Sequence, residues 1–138
     1  MYVCKLKEGI KKLFFTQQVK SKVIAMPFEQ ALFQKHTLLI GSYALNVQMN
    51  LLKFANGKPH QISPRECDIL KLLSQNAEKI VTRDFILSSC WETTSGYASR
   101  SLDLFIYRLR KELILDPKVK IYTIRGKGFI LTTNHQPD

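Results

Sequence analysis

The residues best suited to chemistry with a partner lie in one basic stretch, RSLDLFIYRLRKEL, at positions 100–113. At about 100° per residue, four apolar side chains fall in one narrow stripe, which predicts the core-facing side of a helix. These are Leu102, Ile106, Leu109 and Leu113. The opposite side collects Arg100, Ser101, Leu104, Tyr107, Arg108 and Lys111, whereas a solvated helix would carry interleaved Glu and Lys. Because arginine can bind guanine or phosphate and an exposed leucine can lie against a thymine methyl group, this side suits a DNA major groove.

The charge of the whole chain favours a polyanionic partner. Its 138 residues carry 21 Lys and Arg against 11 Asp and Glu, for a formal net charge of +10. Between positions 95 and 127, basic residues outnumber acids by eight to three, so the surplus continues beyond the helix. For any single arginine the alternative is an ordinary solvated charge, but the clustering favours nucleic acid or an anionic membrane surface.

Other kinds of chemistry find little support in the sequence. Cys4, Cys67 and Cys90 are scattered and have no CxxC spacing, so we expect neither disulfides nor a thiolate metal site, and a reducing cytoplasm as the location. The three histidines form no HExxH pair, and no nucleophile elbow or phosphate-binding loop occurs. No apolar run approaches the roughly 20 residues of a membrane span. We therefore expect no enzymatic activity, cofactor, metal or membrane span.

The elements that would position the basic helix begin near Leu38. LLIGSYALNV, NLLKF and KPHQI predict three or four short antiparallel strands, with a tight hairpin turn at Asn56-Gly57. Ser63-Pro64-Arg65-Glu66 has a Ser cap, Pro at the first helical position and Glu to close a capping box. Thr82 caps a second helix.

The side chains that these helices should bury follow from their spacing. We expect the first helix to bury Cys67, Ile69, Leu70 and Leu73. The apolar residues of the second helix are Phe85, Ile86, Cys90 and Trp91. The third helix spans about 99–113. Strands near 121–124 and 129–131 flank Gly126-Lys127-Gly128, which predicts a glycine-tipped hairpin at the end of an α+β domain.

Residues 1–36 form a separate basic segment or linker ahead of a domain at residues 37–135. Val3, Leu6, Ile10, Leu13 and Phe14 fall on one side of a helix that is lined by lysines on the other. This segment either packs loosely on the neighbouring domain or, through residues 1–19, lies on a membrane surface.

Four strings in order, SPRECDILKLL, VTRDFILSSCW, RSLDLFIYRLRKEL and IYTIRGKGFIL, resemble the DNA-binding effector domain of OmpR/PhoB-type two-component response regulators. The resemblance covers Leu38 to Thr132. It implies a winged helix-turn-helix with an N-terminal antiparallel sheet, three helices and a C-terminal β-hairpin wing at about 121–131. It also implies that the third helix enters the major groove of a regulatory DNA site, while a wing arginine reaches the neighbouring minor groove.

The resemblance also implies roles for individual residues. Those at bases or nearby phosphates are Arg100, Ser101, Leu104, Phe105 and Arg108. Arg110 contacts the DNA backbone, Thr123 and Arg125 are wing contacts, and Tyr107, Lys111 and Lys127 complete the candidate surface. Phe105 replaces a residue that is often polar in the family, so it either meets a thymine methyl group or packs sideways. The resemblance also implies that the loop after the second helix contacts RNA polymerase, with Glu92, Thr93 and Thr94 as the candidate residues.

The family's receiver domain has no counterpart, because residues 1–36 are too few to form one. We expect a fragment or a stand-alone effector that is monomeric in solution and assembles on tandem direct repeats of double-stranded DNA. The alternative function is a protein-interaction module whose basic face is incidental.

Overall fold

The computed structural model describes residues 36–92 and 96–136. The amphipathic segment before residue 36, as well as Thr93 and Thr94, lies outside the described residues. The described elements are β1 (Thr37–Ile40), β2 (Tyr43–Asn46), β3 (Leu51–Phe54), β4 (His60–Gln61), α1 (Pro64–Gln75), β5 (Val81–Thr82), α2 (Arg83–Cys90), α3 (Gly96–Glu112), β6 (Lys120–Ile124) and β7 (Gly128–Thr132). This order confirms the predicted α+β fold, with an N-terminal sheet, three helices and a C-terminal hairpin.

The N-terminal sheet has four antiparallel strands in the order β1-β2-β3-β4. The prediction of a tight Asn56-Gly57 turn was wrong. Residues 55–59 separate β3 from β4, and the positive φ, 49°, falls on Ala55. The amide of Gly57 closes the turn by donating to the Phe54 carbonyl over 2.8 Å. The reversal therefore begins one residue earlier than the dipeptide indicated.

The two predicted helix caps are present. Ser63 Oγ accepts a hydrogen bond from the Glu66 amide over 3.2 Å and donates one to the Glu66 carboxylate over 2.7 Å. Thr82 Oγ1 accepts from the Phe85 amide over 3.2 Å and starts α2. These contacts satisfy amides that have no partner within the first turn of a helix.

The core lies between α1, α3 and the two sheets, and it contains the predicted faces of α1 and α3. The buried residues of these faces are Cys67, Ile69, Leu70 and Leu73 in α1, and Leu102, Ile106 and Leu109 in α3, with Leu113 just after it. In α2 the prediction was partly wrong, because Ile86 and Leu87 are buried whereas Phe85 is 50% exposed. With its apolar stripe buried, α3 leaves its opposite side to solvent.

The C-terminal sheet has the order β5-β7-β6, with Gly126 at the hairpin tip at a φ of 75°. Gly128 packs so closely on β5 that an added Cβ would lie 2.0 Å from the Val81 carbonyl oxygen. A glycine at position 128 therefore allows β7 to pair with β5 at the start of α2.

A buried carboxylate joins the N-terminal sheet to the connection between α3 and β6. Asp116 accepts hydrogen bonds from the amides of Ser42, over 2.9 Å, and Lys118, over 3.0 Å. Burial by itself raises the pKa of Asp116, but the hydrogen bonds from Ser42 and Lys118 outweigh burial and hold this pKa below its ordinary value. Gly41 (φ 58°) leaves room for this carboxylate, since its Cβ would come within 2.8 Å of Asp116 Oδ2.

Candidate nucleic-acid interface

The candidate surface is the solvent side of α3 together with the tip of the hairpin. Arg100, Leu104, Tyr107, Arg108 and Lys111 are exposed on α3, and Ser101 is half-buried beside them. Leu104 and Tyr107 expose 48% and 54% of their surface, although both are large apolar side chains. The Lys111 ammonium lies 4.8 Å from the centroid of the Tyr107 ring, within the range of a cation–π contact.

Phe105 is turned toward the side of this surface. Its ring lies 6.0 Å from that of Trp91 and is partly buried against the core. The Arg108 guanidinium lies 5.5 Å from the centroid of the Phe105 ring, and the Arg65 guanidinium lies 4.4 Å from that of Trp91. Of the two alternatives for Phe105, the geometry favours sideways packing, in which the ring supports Arg108.

Arg110 connects α3 to the hairpin. Its Nε donates to the carbonyl of Ile121 over 3.0 Å, and its Nη2 donates to Thr123 Oγ1 over 2.7 Å. Two of the predicted DNA-binding residues, Arg110 and Thr123, are thus bonded to each other. Arg110 therefore holds β6 beside α3, and this role is separate from the predicted contact with a DNA phosphate.

The tip of the hairpin carries the remaining predicted cations. Arg125 and Lys127 are both exposed and flank Gly126. The Lys127 carbonyl accepts a hydrogen bond from the Arg83 amide over 3.3 Å, which ties the hairpin to the start of α2. The tip is consequently held from α2 as well as from α3.

Each of the three acids between positions 95 and 127 has a contact inside the fold. Both oxygens of the Asp103 carboxylate accept from the guanidinium of Arg83, over 2.7 and 3.3 Å. Glu112 contacts Nε2 of His60, and Asp116 accepts the two amides described above. Asp103 keeps 61% of its side chain exposed, but Arg83 pairs with its charge, so the eight cations between positions 95 and 127 dominate the charge of α3 and the hairpin.

Neither thiol in the described part of the chain is an activated nucleophile. Burial raises the pKa of the Cys67 and Cys90 thiols, which favours the unreactive protonated form. Across residues 36–92 and 96–136, no three His, Cys, Asp or Glu side chains are grouped to hold a metal ion. No helix within these ranges is both long and apolar enough to span a membrane.

Comparison with known proteins identifies the domain. A family model described as "Transcriptional regulatory protein, C terminal" matches residues 57–131. The chain belongs to this family. The match confirms the resemblance to OmpR/PhoB-type domains, and the family is one of transcription regulators rather than enzymes.

Curated relatives of this family are longer than the part that matches this chain. The transcriptional regulatory protein RprY of Bacteroides fragilis is 34% identical over 94 residues, which are 68% of this chain and 39% of RprY. The chain spans about two fifths or less of the length of such curated relatives.

Solved structures of the family share the fold. The RstA DNA-binding domain of Klebsiella pneumoniae, in complex with the RstA box, is 29% identical, with a TM-score of 0.60 over 71% of this chain and 98% of that one. The response regulator DrrB of Thermotoga maritima, an OmpR/PhoB homologue, is 25% identical, with a TM-score of 0.58 over 83% of this chain and 56% of DrrB.

One residue important to this family member's surface was missed by sequence reasoning. Besides Asp103, Arg83 binds the carbonyl and hydroxyl oxygens of Ser99, over 3.0 and 2.7 Å, and so fastens α2 to α3. The partners lie 16 and 20 positions away, so no helical spacing could have indicated the contacts. Of the predicted polymerase contacts, the structure describes Glu92, which is exposed just after α2.

Proposed function

We propose that the chain binds double-stranded DNA at a specific sequence and regulates transcription, as the effector domain of a two-component response regulator. In this proposal α3 lies in the major groove and the tip of the hairpin reaches the neighbouring minor groove. The observation that carries it is the pair of hydrogen bonds from Arg110 to β6, because they hold two basic surfaces side by side.

The dimensions of the surface support the placement. A helix with its side chains is about 10–12 Å across and fits a major groove about 12 Å wide. Arg100 and Arg108 are positioned to reach guanine edges or phosphates, while Lys111 lies one turn further along α3, where phosphate contacts are natural. The exposed Arg125 and Lys127 extend the cationic surface beyond the helix, as a second contact with the same duplex requires.

The charge of the surface also supports the proposal, because its acidic residues are bonded to other groups of the protein. An unpaired Asp103 carboxylate would repel DNA phosphates. The guanidinium of Arg83 binds this carboxylate and offsets its negative charge. The resulting surface offers cations along a path that a DNA backbone can follow. Such contacts supply affinity that falls as salt rises, since bound cations release counterions from the DNA.

The partners follow from the family resemblance. We propose that the domain is a monomer in solution and assembles on tandem direct repeats in the cytoplasm, with Glu92 and the adjoining Thr93 and Thr94 available to RNA polymerase. The matched residues make up 39%, 33% and 35% of three curated relatives, so most of each relative lies outside the match.

The experiment that tests the function is selection of the purified chain on a random-duplex pool at two salt concentrations, followed by sequencing of the retained DNA. We expect an enriched short motif that recurs at about one helical turn, as for half-sites read from one face of the duplex. Retention that disappears at higher salt without any enriched motif would contradict sequence-specific binding and favour a protein-interaction module.

A further inference from the structure

The solvent side of α3 carries an apolar stripe that a freely solvated helix does not need. Tyr97, Arg100, Leu104, Tyr107 and Lys111 recur at intervals of three and four residues along α3, which places them on one face. Tyr97, Leu104 and Tyr107 expose 75%, 48% and 54% of their surface. Three large apolar side chains on one helical face, between cations, indicate a surface that is covered in use.

The polar side chains of α3 limit what this face can read. The sequence GYASRSLDLFIYRLRKE contains no Asn, Gln or His. Asparagine and glutamine are the side chains that pair bidentately with adenine, so α3 lacks the usual reader of that base. An A·T pair in the major groove offers one other feature that singles it out, the 5-methyl group of thymine.

Readers of cytosine are also restricted. Asp and Glu can accept from the cytosine amino group, but both oxygens of the 61% exposed Asp103 side chain already accept from Arg83, and Glu112 contacts His60. Ser101 can bond to several bases and so discriminates weakly. The arginines remain as guanine readers, and the exposed apolar atoms remain for thymine.

From this arrangement we infer that Leu104 and Tyr107 determine the specificity of the proposed DNA site by contacting thymine methyl groups in the major groove. Phe105 is excluded from this role because its ring packs on Trp91. The axial separation of Leu104 and Tyr107 is about 4.5 Å, from a rise of about 1.5 Å per residue, and is comparable to the base-pair rise of about 3.4 Å. The two side chains are therefore spaced closely enough to reach neighbouring base pairs.

The inference rests on the proposed function and specifies its substrate. The preferred site is a duplex in which thymines occupy the centre of the contacted segment, with guanines at the positions that Arg100 and Arg108 reach. Its thymines are recognised by their methyl groups rather than by hydrogen bonds. Deoxyuridine, which lacks only that methyl group, is therefore the diagnostic probe.

The test starts from the duplex enriched in the random-pool selection. Each thymine of that site is replaced in turn by deoxyuridine, and the dissociation constants are measured at one fixed salt concentration. At the contacted positions we expect a loss of about fourfold per methyl group, the value for withdrawing one methyl group from an apolar contact. Leu104→Ala should lower the affinity for the thymine site and abolish the difference between thymine and deoxyuridine at one base pair.

A matched control distinguishes the loss of a contact with DNA from the general effect of shortening an exposed leucine. Leu39→Ala removes the same atoms from a leucine that is 80% exposed on the N-terminal sheet, and it should leave every thymine-to-deoxyuridine ratio unchanged. If the wild-type chain binds an enriched site equally well with thymine and deoxyuridine, the inference is overturned while the proposed function stands. If no duplex is enriched at all, the proposed function fails and the inference fails with it.

Discussion

Arg110 Nη2 donates a hydrogen bond to Thr123 Oγ1 over 2.7 Å, and the same guanidinium holds the Ile121 carbonyl through Nε. These two bonds cross from the end of α3 to the first strand of the hairpin. A cation predicted to contact the DNA backbone therefore also fixes the wing relative to the recognition helix.

Replacement of Arg110 should separate these two roles. We expect Arg110→Ala to accelerate amide hydrogen exchange in β6 and to weaken DNA binding, because the hairpin loses its connection to α3. If Arg110 acts mainly through the hairpin, the slope of log affinity against log salt should stay close to that of the wild-type chain. A salt slope smaller by about 1, as for the loss of one phosphate contact, would instead indicate that Arg110 binds the DNA backbone, provided that hydrogen exchange in β6 is unchanged.

Replacement of Arg125 should show the opposite pattern. We expect Arg125→Ala to weaken binding on all sequences and to reduce the salt slope by about 1, as for the loss of one phosphate contact. Lys71→Ala is the matched control, because it removes one exposed positive charge from the groove between α1 and α2. Equal salt slopes for the Arg125 and Lys71 variants would argue against a hairpin contact with DNA.

Replacement of Arg100 or Arg108 should change base preference. If either residue reads a guanine, its change to alanine should cost about 1–3 kcal/mol of binding free energy and relax preference at one base pair. Selection repeated with each variant measures this change directly. Unaltered affinity and preference in both variants would show that the helix is not placed in the groove as proposed.

Replacement of Asp116 should make stability less sensitive to acid. The folded-state pKa of Asp116 lies below its ordinary value, so this carboxylate stabilises the fold above about pH 4, and the stabilisation is lost as pH falls through the lower, folded pKa. We expect Asp116→Asn to lower the free energy of unfolding by about 1–3 kcal/mol at pH 7, with a smaller difference at acid pH. Urea denaturation from pH 7 to pH 3 measures both effects.

The control for Asp116 is Asp68→Asn, which neutralises an exposed carboxylate on α1. Its unfolding free energy should follow that of the wild-type chain over the same pH range. If the two variants behaved alike, the acid sensitivity would reflect net charge rather than the hydrogen bonds to Ser42 and Lys118.

Two glycines should respond in opposite ways to alanine. At Gly128 a methyl group would lie 2.0 Å from the Val81 carbonyl, so we expect Gly128→Ala to lower the melting temperature and weaken DNA binding. At Gly96 a methyl group meets nothing within 4 Å, and Gly96→Ala should be neutral or stabilise by about 0.4–1 kcal/mol. Equal melting temperatures for the two variants would contradict the close approach of β7 to β5.

Much of the fold could be predicted because its signals are local. The capping box at Ser63 and Glu66 depends on residues three apart, and the core stripe of α3 depends on spacings of three and four. Both therefore survive in the sequence as patterns. The Asn56-Gly57 turn failed because the preference of a dipeptide is weak against the register of β3, which places the positive φ on Ala55.

The contacts that shape the candidate site were hidden because they are not local. Arg83 and Asp103 are 20 positions apart, and Ser42 and Asp116 are 74 apart. No pattern in the sequence shows that the Asp116 carboxylate caps the β1–β2 turn. The residues of the surface could thus be proposed from their spacing, whereas the bonds that orient them required the folded chain.

The close approach of Gly128 to the Val81 carbonyl also restricts how the hairpin can pair. Thr82 lies opposite Gly128 in the ladder between β5 and β7. A slip of one residue would bring the side chain of Lys127 or Phe129 to a position that has no room for a Cβ, and would turn every side chain of β7 to the other face. Steric exclusion at this one glycine therefore rules out a slip of β7 by one residue in either direction.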